Sequence, residues 1–150
     1  MRVLVTGSSG FIGAALCRAL VEAGHSVRAF HRPTSNPRML QSLPVEHALG
    51  DLGHPETLAE AAAGMEVVFH AAAQMGARNQ DVDRMYAITV EGTRALLQAC
   101  RKAGVRRLVH TSSVAALGVP GRPRRGVLHP PTAETPPRDS PPAGVAYGHP

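Results

Sequence analysis

Apolar and polar positions change rhythm twice within the first 23 residues. Val3, Leu4 and Val5 form an unbroken apolar run, the pattern of a strand covered on both faces of a parallel sheet. From Phe11 onward, Ile12, Leu16, Ala19, Leu20 and Ala23 recur at helical spacing, so Gly7 to Gly10 must turn a strand into a helix. The alternation then repeats. Ser26 to His31 reads as a second strand, and a loop punctuated by Pro33 and Pro37 leads to a short helical piece at Met39 to Leu43. Val45 to Gly50 reads as a third strand, and Pro55 opens an Ala-rich helix over Glu56 to Ala63 that Gly64 stops. Met65 to His70 is a fourth strand and Arg107 to Val114 a fifth. Between them lies the longest helical pattern, Asp81 to Ala103, with Val82, Met85, Thr89, Thr93, Leu96 and Cys100 on one face. Strands alternating with helices predict an α/β domain built on a doubly wound parallel sheet, with about five strands in the order 3-2-1-4-5.

The first turn carries the clearest chemistry. A strand, a glycine turn and a helix start bring unpaired backbone N–H groups and the positive end of a helix dipole to one point, which suits a phosphate. Gly7 permits the tight turn, Gly10 lets a pyrophosphate approach the backbone, and Gly13 lets the helix pack closely on the strand. Ser8 and Ser9 add hydroxyl donors. Folds of this kind that prefer NAD place an acidic residue near the end of the second strand to accept the ribose 2′-OH. Here His31 and Arg32 hold that place, with Arg28 and Arg38 nearby, and a cationic strand end favours the 2′-phosphate of NADP over NAD. Small residues at Ala71, Ala72 and Ala73, after the fourth strand, let a ligand lie against the backbone.

Composition narrows the classes. No stretch approaches the ~20 apolar residues of a membrane span, and the start of the chain enters a strand without a signal-peptide pattern, so a cytoplasmic address is expected. The formal charge of +5 rests almost wholly on arginine, with Lys102 the sole lysine. Its clusters lack interleaved aromatics, which argues for solvated surface rather than a nucleic-acid site. Cys17 and Cys100 fall on or near apolar helix faces and read as buried thiols, and the histidine spacing predicts no metal site. Nine of the 13 prolines lie beyond Gly118, so the chain is expected to divide into a nucleotide-binding domain, 1–118, and a Pro-rich segment, 119–150.

The spacing T-G-x-x-G-x-x-G, together with G-D-L at 50–52, H-A-A-A at 70–73 and I-T-V-E-G-T at 88–93, resembles the extended branch of the short-chain dehydrogenase/reductase superfamily. That is the family of NAD-dependent epimerases, dehydratases and reductases, with a Rossmann-type fold. The resemblance assigns coenzyme contacts to Thr6, Gly7, Ser9 and Gly10, and to Phe11, Ile12 and Gly13 at the helix start. It adds His31 and Arg32, then Asp51 and Leu52 beside the adenine, and Ala71, Ala72 and Ala73 along the ribose and nicotinamide. For Asp51 a purely turn-stabilising carboxylate is the competing reading. Thr89 stands where many members carry Asn, a departure that points toward members resembling dihydroflavonol reductases and puts an Asn-dependent proton relay in doubt.

Catalytic roles also follow from the resemblance alone. Ser113, in S-x-x-x-x-G ending at Gly118, aligns with the residue that orients the substrate oxygen, and Tyr147 with the general acid/base. The family pairs that tyrosine with a lysine four residues later, because an adjacent cation lowers the phenol's pKa. The sequence reads Tyr147-Gly148-His149-Pro150 and does not reach that position, so it corresponds to the N-terminal part of a member. The resemblance implies an oxidoreductase acting on a small carbonyl or alcohol substrate with NADP, or with NAD if the cationic strand end only faces water. An NAD-dependent nucleotide-sugar epimerase or dehydratase shares these motifs, and a non-catalytic dinucleotide-binding module is the third possibility. Members commonly form homodimers through the long helix and the tyrosine-bearing helix, an arrangement open only to a longer chain.

Overall fold

The computed structural model describes residues 1–74 and 82–113. Strands β1 (Arg2–Thr6), β2 (Ser26–His31), β3 (Glu46–Leu49), β4 (Val67–His70) and β5 (Arg107–His110) form one sheet in the order β3-β2-β1-β4-β5. All pairings are parallel, and central Val5 lies opposite Ala29 on one side and Phe69 on the other. Helix α1 (Phe11–Glu22) joins β1 to β2, a 3-10 turn (Arg38–Leu40) precedes β3, and α2 (Pro55–Ala62) precedes β4.

The unbroken apolar run of β1 is explained by burial on both faces, since successive side chains point to opposite sides of the sheet. Val3 and Val5 pack with Ala14 and Cys17 of α1, with Val27 and Ala29 of β2, and with Leu40. Leu4 points the other way, into Phe30, Leu58, Val68 and Leu96. Both thiols are free and buried, and burial pushes each pKa up to about 11.

Two elements depart from the sequence expectation. The helix expected over Asp81 to Ala103 is α3 (Val82–Tyr86), a π-helical turn (Ala87–Glu91) and α4 (Gly92–Lys102). The Thr93 hydroxyl bonds back to the Thr89 carbonyl, and Gly92 sits so close to Leu52 that a Cβ there would lie 2.7 Å from the leucine Cβ. Side chains competing for helix carbonyls and a tight contact at one turn are conditions that widen a helix locally. The fifth strand also stops sooner, at His110 rather than Val114. Its partner β4 ends at His70, whose carbonyl accepts the last N–H, from Thr111, at 2.9 Å. Residues Met1–Thr111 form one unit, and Ser112 opens a second of which only Ser112 and Ser113 are described.

Candidate functional site

The chain leaves β1 toward β2 and β3, then returns to β1's other side for β4 and β5, so the connections at the carboxyl ends diverge on either side of β1. Open α/β sheets bind ligands at such a reversal. A cleft of about 220 Å³ lies there, lined by Gly7, Ser9 and Gly10 after β1, Phe30, His31, Arg32 and Ser35 around the end of β2, and Gly50, Asp51 and Leu52 after β3. Ala71 to Gln74, after β4, and Ile88 of the π-helical turn complete it.

The turn after β1 is held by two contacts that admit no side chain. Gly7 has φ +68°, and a Cβ on it would lie 2.8 Å from the Ala72 backbone. A Cβ on Gly13 would lie 2.1 Å from the Gly7 carbonyl oxygen, so the first turn of α1 rests directly on the loop. Gly10 is the N-cap of α1, no side chain caps the helix, and no acidic residue occupies its first turn. The helix therefore presents orphan N–H groups and its positive dipole end beside a glycine that lines the cleft. A diphosphate fits this arrangement, and among the described residues no side-chain anion caps the helix.

Four positions assigned to the coenzyme put no side chain in the cleft lining, although Phe11, Ile12 and Gly13 carry the first-turn N–H groups of α1. Thr6 is fully buried, with its hydroxyl 2.6 Å from His70 Nδ1, so that hydroxyl is spent inside the fold. Gly13 is buried under the turn, and the Phe11 and Ile12 side chains are exposed, 81% and 52%, away from the lining. The expectation that Ser8 supplies a donor is corrected likewise: its hydroxyl is buried and donates to the Phe30 carbonyl at 3.0 Å. Arg28 is not a neighbour of a 2′-phosphate either. It donates from Nε to Glu46 at 2.9 Å and from its guanidinium to the Ala61 and Ala63 carbonyls, at 2.8 and 3.0 Å, at the end of α2. Arg28 is the third residue of β2, short of the strand end at which the cleft lies.

Asp51 combines both of its readings. One carboxylate oxygen accepts the Gly53 N–H at 2.8 Å, fixing the turn, while the residue also lines the cleft. Arg32 is exposed at the cleft and takes part in no ion pair among the described residues. His31 beside it is 7% exposed; its Nδ1 lies 3.1 Å from the Arg32 carbonyl and its Nε2 3.0 Å from His47 Nδ1.

Sequence reasoning missed Phe30, Ser35, Gly50, Gln74 and Ile88. Ser35 had a signal, since it lies in the loop directly after the second strand; Gln74 and Ile88 come to the cleft through a contact invisible in the sequence, the Gln74 N–H on the Thr89 hydroxyl at 3.3 Å. Ser113 is exposed and belongs to the second unit, and Tyr147 lies outside the described residues. Among the described residues no group of histidine, cysteine or carboxylate side chains could hold a metal, and no helix is long and apolar enough to cross a membrane.

The sequence that folds into this sheet matches the model of the NAD dependent epimerase/dehydratase family over residues 3–143. The chain belongs to that family. Among family relatives, the sterol demethylase protein B of Methylococcus capsulatus is 45% identical over 119 residues, 79% of this chain and 36% of that protein. The dihydroflavonol 4-reductase of Hordeum vulgare is 37% identical over 134 residues, 81% of this chain and 37% of that protein. A short-chain dehydrogenase/reductase superfamily protein from Agrobacterium tumefaciens, crystallised with NAD bound, aligns with a TM-score of 0.69 at 37% identity, covering 88% of this chain and 40% of that one. The chain thus spans little more than a third of the length of these relatives.

Proposed function

We propose that the chain is the coenzyme-binding part of an NADP(H)-dependent reductase of the epimerase/dehydratase family, acting on a carbonyl or alcohol carbon. The observation that carries the NADP preference is the end of β2, where an exposed Arg32, in no ion pair among the described residues, lines the cleft beside Ser35 and no carboxylate follows His31. An arginine fork matches a phosphate, whereas a ribose 2′-OH calls for an acceptor.

The residues divide the work by chemistry. The first-turn N–H groups of α1, with Gly7 and Gly10, hold the diphosphate, and Asp51 and Leu52 border the adenine. When bound, the nicotinamide supplies or takes up hydride. Ser113 hydrogen-bonds the substrate oxygen, and Tyr147 exchanges a proton with it. The dihydroflavonol reductase among the relatives supports the reductase reading.

An NAD-dependent epimerase or dehydratase is the alternative, supported by the NAD bound in the Agrobacterium protein. Fluorescence titration of this chain with NADPH and NADH separates the two. Tighter binding of NADPH is expected; equal affinities reject the reading of Arg32.

A further inference from the structure

We propose that the His31–His47 pair is a second determinant of coenzyme choice, taking up one proton as a 2′-phosphate seats beside Arg32. This rests on the NADP reading above and adds a proton to it.

The hydrogen bonds define what the pair can do. A carbonyl only accepts, so the contact from His31 Nδ1 to the Arg32 carbonyl requires hydrogen on Nδ1. The second contact, 3.0 Å between His31 Nε2 and His47 Nδ1, works in either direction. With His31 neutral, its Nε2 is bare and His47 donates from Nδ1. With His31 cationic, Nε2–H donates, His47 Nδ1 accepts, and His47 carries its hydrogen on Nε2. The neutral pair holds two N–H hydrogens and the protonated pair three, and neither form loses a hydrogen bond. His47 is exposed on β3, so the extra proton has a path from solvent.

The surroundings decide when the proton is taken. Arg32 follows His31 directly and Asp51 lines the same cleft; these are the charged side chains among its lining residues, and β3 contributes His47. Turn residues Ser8 and Ser9, after β1, carry no charge. Arg32 is a like charge to a protonated pair, and the Asp51 carboxylate, one oxygen of which accepts from the Gly53 N–H, an opposite one. A phosphate at the end of β2 adds negative charge beside the pair, and a coenzyme without the phosphate does not. Imidazole is the side chain that changes charge in the neutral range, so the coupling operates there. By linkage, a complex that holds an additional proton is strengthened by acid.

The test is calorimetric titration of the chain with NADP⁺ and NAD⁺, in buffers of different ionisation enthalpy, between about pH 8 and about pH 6. We expect net proton uptake with NADP⁺ and none with NAD⁺, and a preference for NADP⁺ that grows as pH falls, by at most about tenfold per pH unit. The 2′-phosphate has its own second pKa near about 6 and loses charge in acid, so it acts in the opposite sense. In His31→Gln, and in His47→Phe, which keeps an exposed ring without nitrogen, only that opposing term remains and the preference should fall with acid. Proton uptake undiminished in both variants overturns the proposal, as does a parent preference for NADP⁺ without uptake. Equal affinity for the two coenzymes at every pH overturns the NADP reading and this proposal together.

Discussion

Thr6 and His70 meet across β1 and β4 in a 2.6 Å hydrogen bond between the threonine hydroxyl and the imidazole Nδ1, both side chains fully buried. His70 Nε2 lies 2.9 Å from the Thr93 hydroxyl, which itself donates to the Thr89 carbonyl. The Thr93 hydrogen is spent on Thr89, so Nε2–H donates to Thr93. Burial first, with stacked His110 at 5.1 Å second, pushes the ring's pKa down to about 4, so at neutral pH the ring is neutral and Nδ1 accepts from Thr6.

Acid should weaken the fold through this one ring. In the unfolded chain His70 titrates near about 6.5, so below that pH the unfolded state binds a proton that the folded state refuses. Stability is unaffected above that pH and declines as pH falls toward 4, by roughly 3 kcal/mol in all. Urea unfolding at several pH values measures the decline, and His70→Asn, although less stable at neutral pH, should lose most of the slope.

Removing the partner hydroxyl should be costly at any pH. Thr6→Val leaves Nδ1 buried without a donor, and a loss of about 1–3 kcal/mol is expected from thermal or urea unfolding.

The two arginines near β2 should separate cleanly. Arg28→Met strips the end of α2 of its guanidinium and should cost about 1–2 kcal/mol of stability with coenzyme affinity unchanged. Arg32→Asp should leave stability nearly unaltered and reverse the preference from NADP(H) to NAD(H). Paired unfolding and titration curves for both variants check the crossing pattern.

Gly13→Ala tests the seating of α1 on the turn. With backbone 2.1 Å from the new methyl group, helix and loop must part. A loss of about 1–3 kcal/mol is expected, with coenzyme binding weakened more than tenfold in titration, because the proposed diphosphate site is built from the same atoms.

Thiol chemistry reports on the core. Both cysteines are buried, with pKa values raised to about 11, so native protein should react slowly with a thiol reagent at mild alkaline pH. Denaturation should release both at once; a fast thiol in the native state would contradict the packing of Cys17 or Cys100.

The elements and their order were legible because burial leaves a periodic trace, in the two-sided strand at Val3 to Val5 and the helical spacing after Phe11, and because the glycine stop at Gly64, with positive φ, marks a helix end. The glycine turn between β1 and α1 was legible for the same reason, being local. What the sequence could not disclose was the destination of individual polar groups. Thr6, Ser8 and Arg28 all look available for a ligand until the fold supplies them with His70, the Phe30 carbonyl and the end of α2. The π-helical turn was equally hidden; it coincides with the approach of Gly92 to Leu52, a contact between segments distant in the sequence.

Because Gly13 rests on Gly7 while Arg32 stands apart at the tip of β2, the glycine floor of the cleft and its cationic edge occupy different parts of the molecule. An exposed side chain at that edge can be exchanged without disturbing the packing beneath it. The same freedom is denied to the glycine floor, where helix, loop and the backbone after β4 interlock and any replacement disturbs all three.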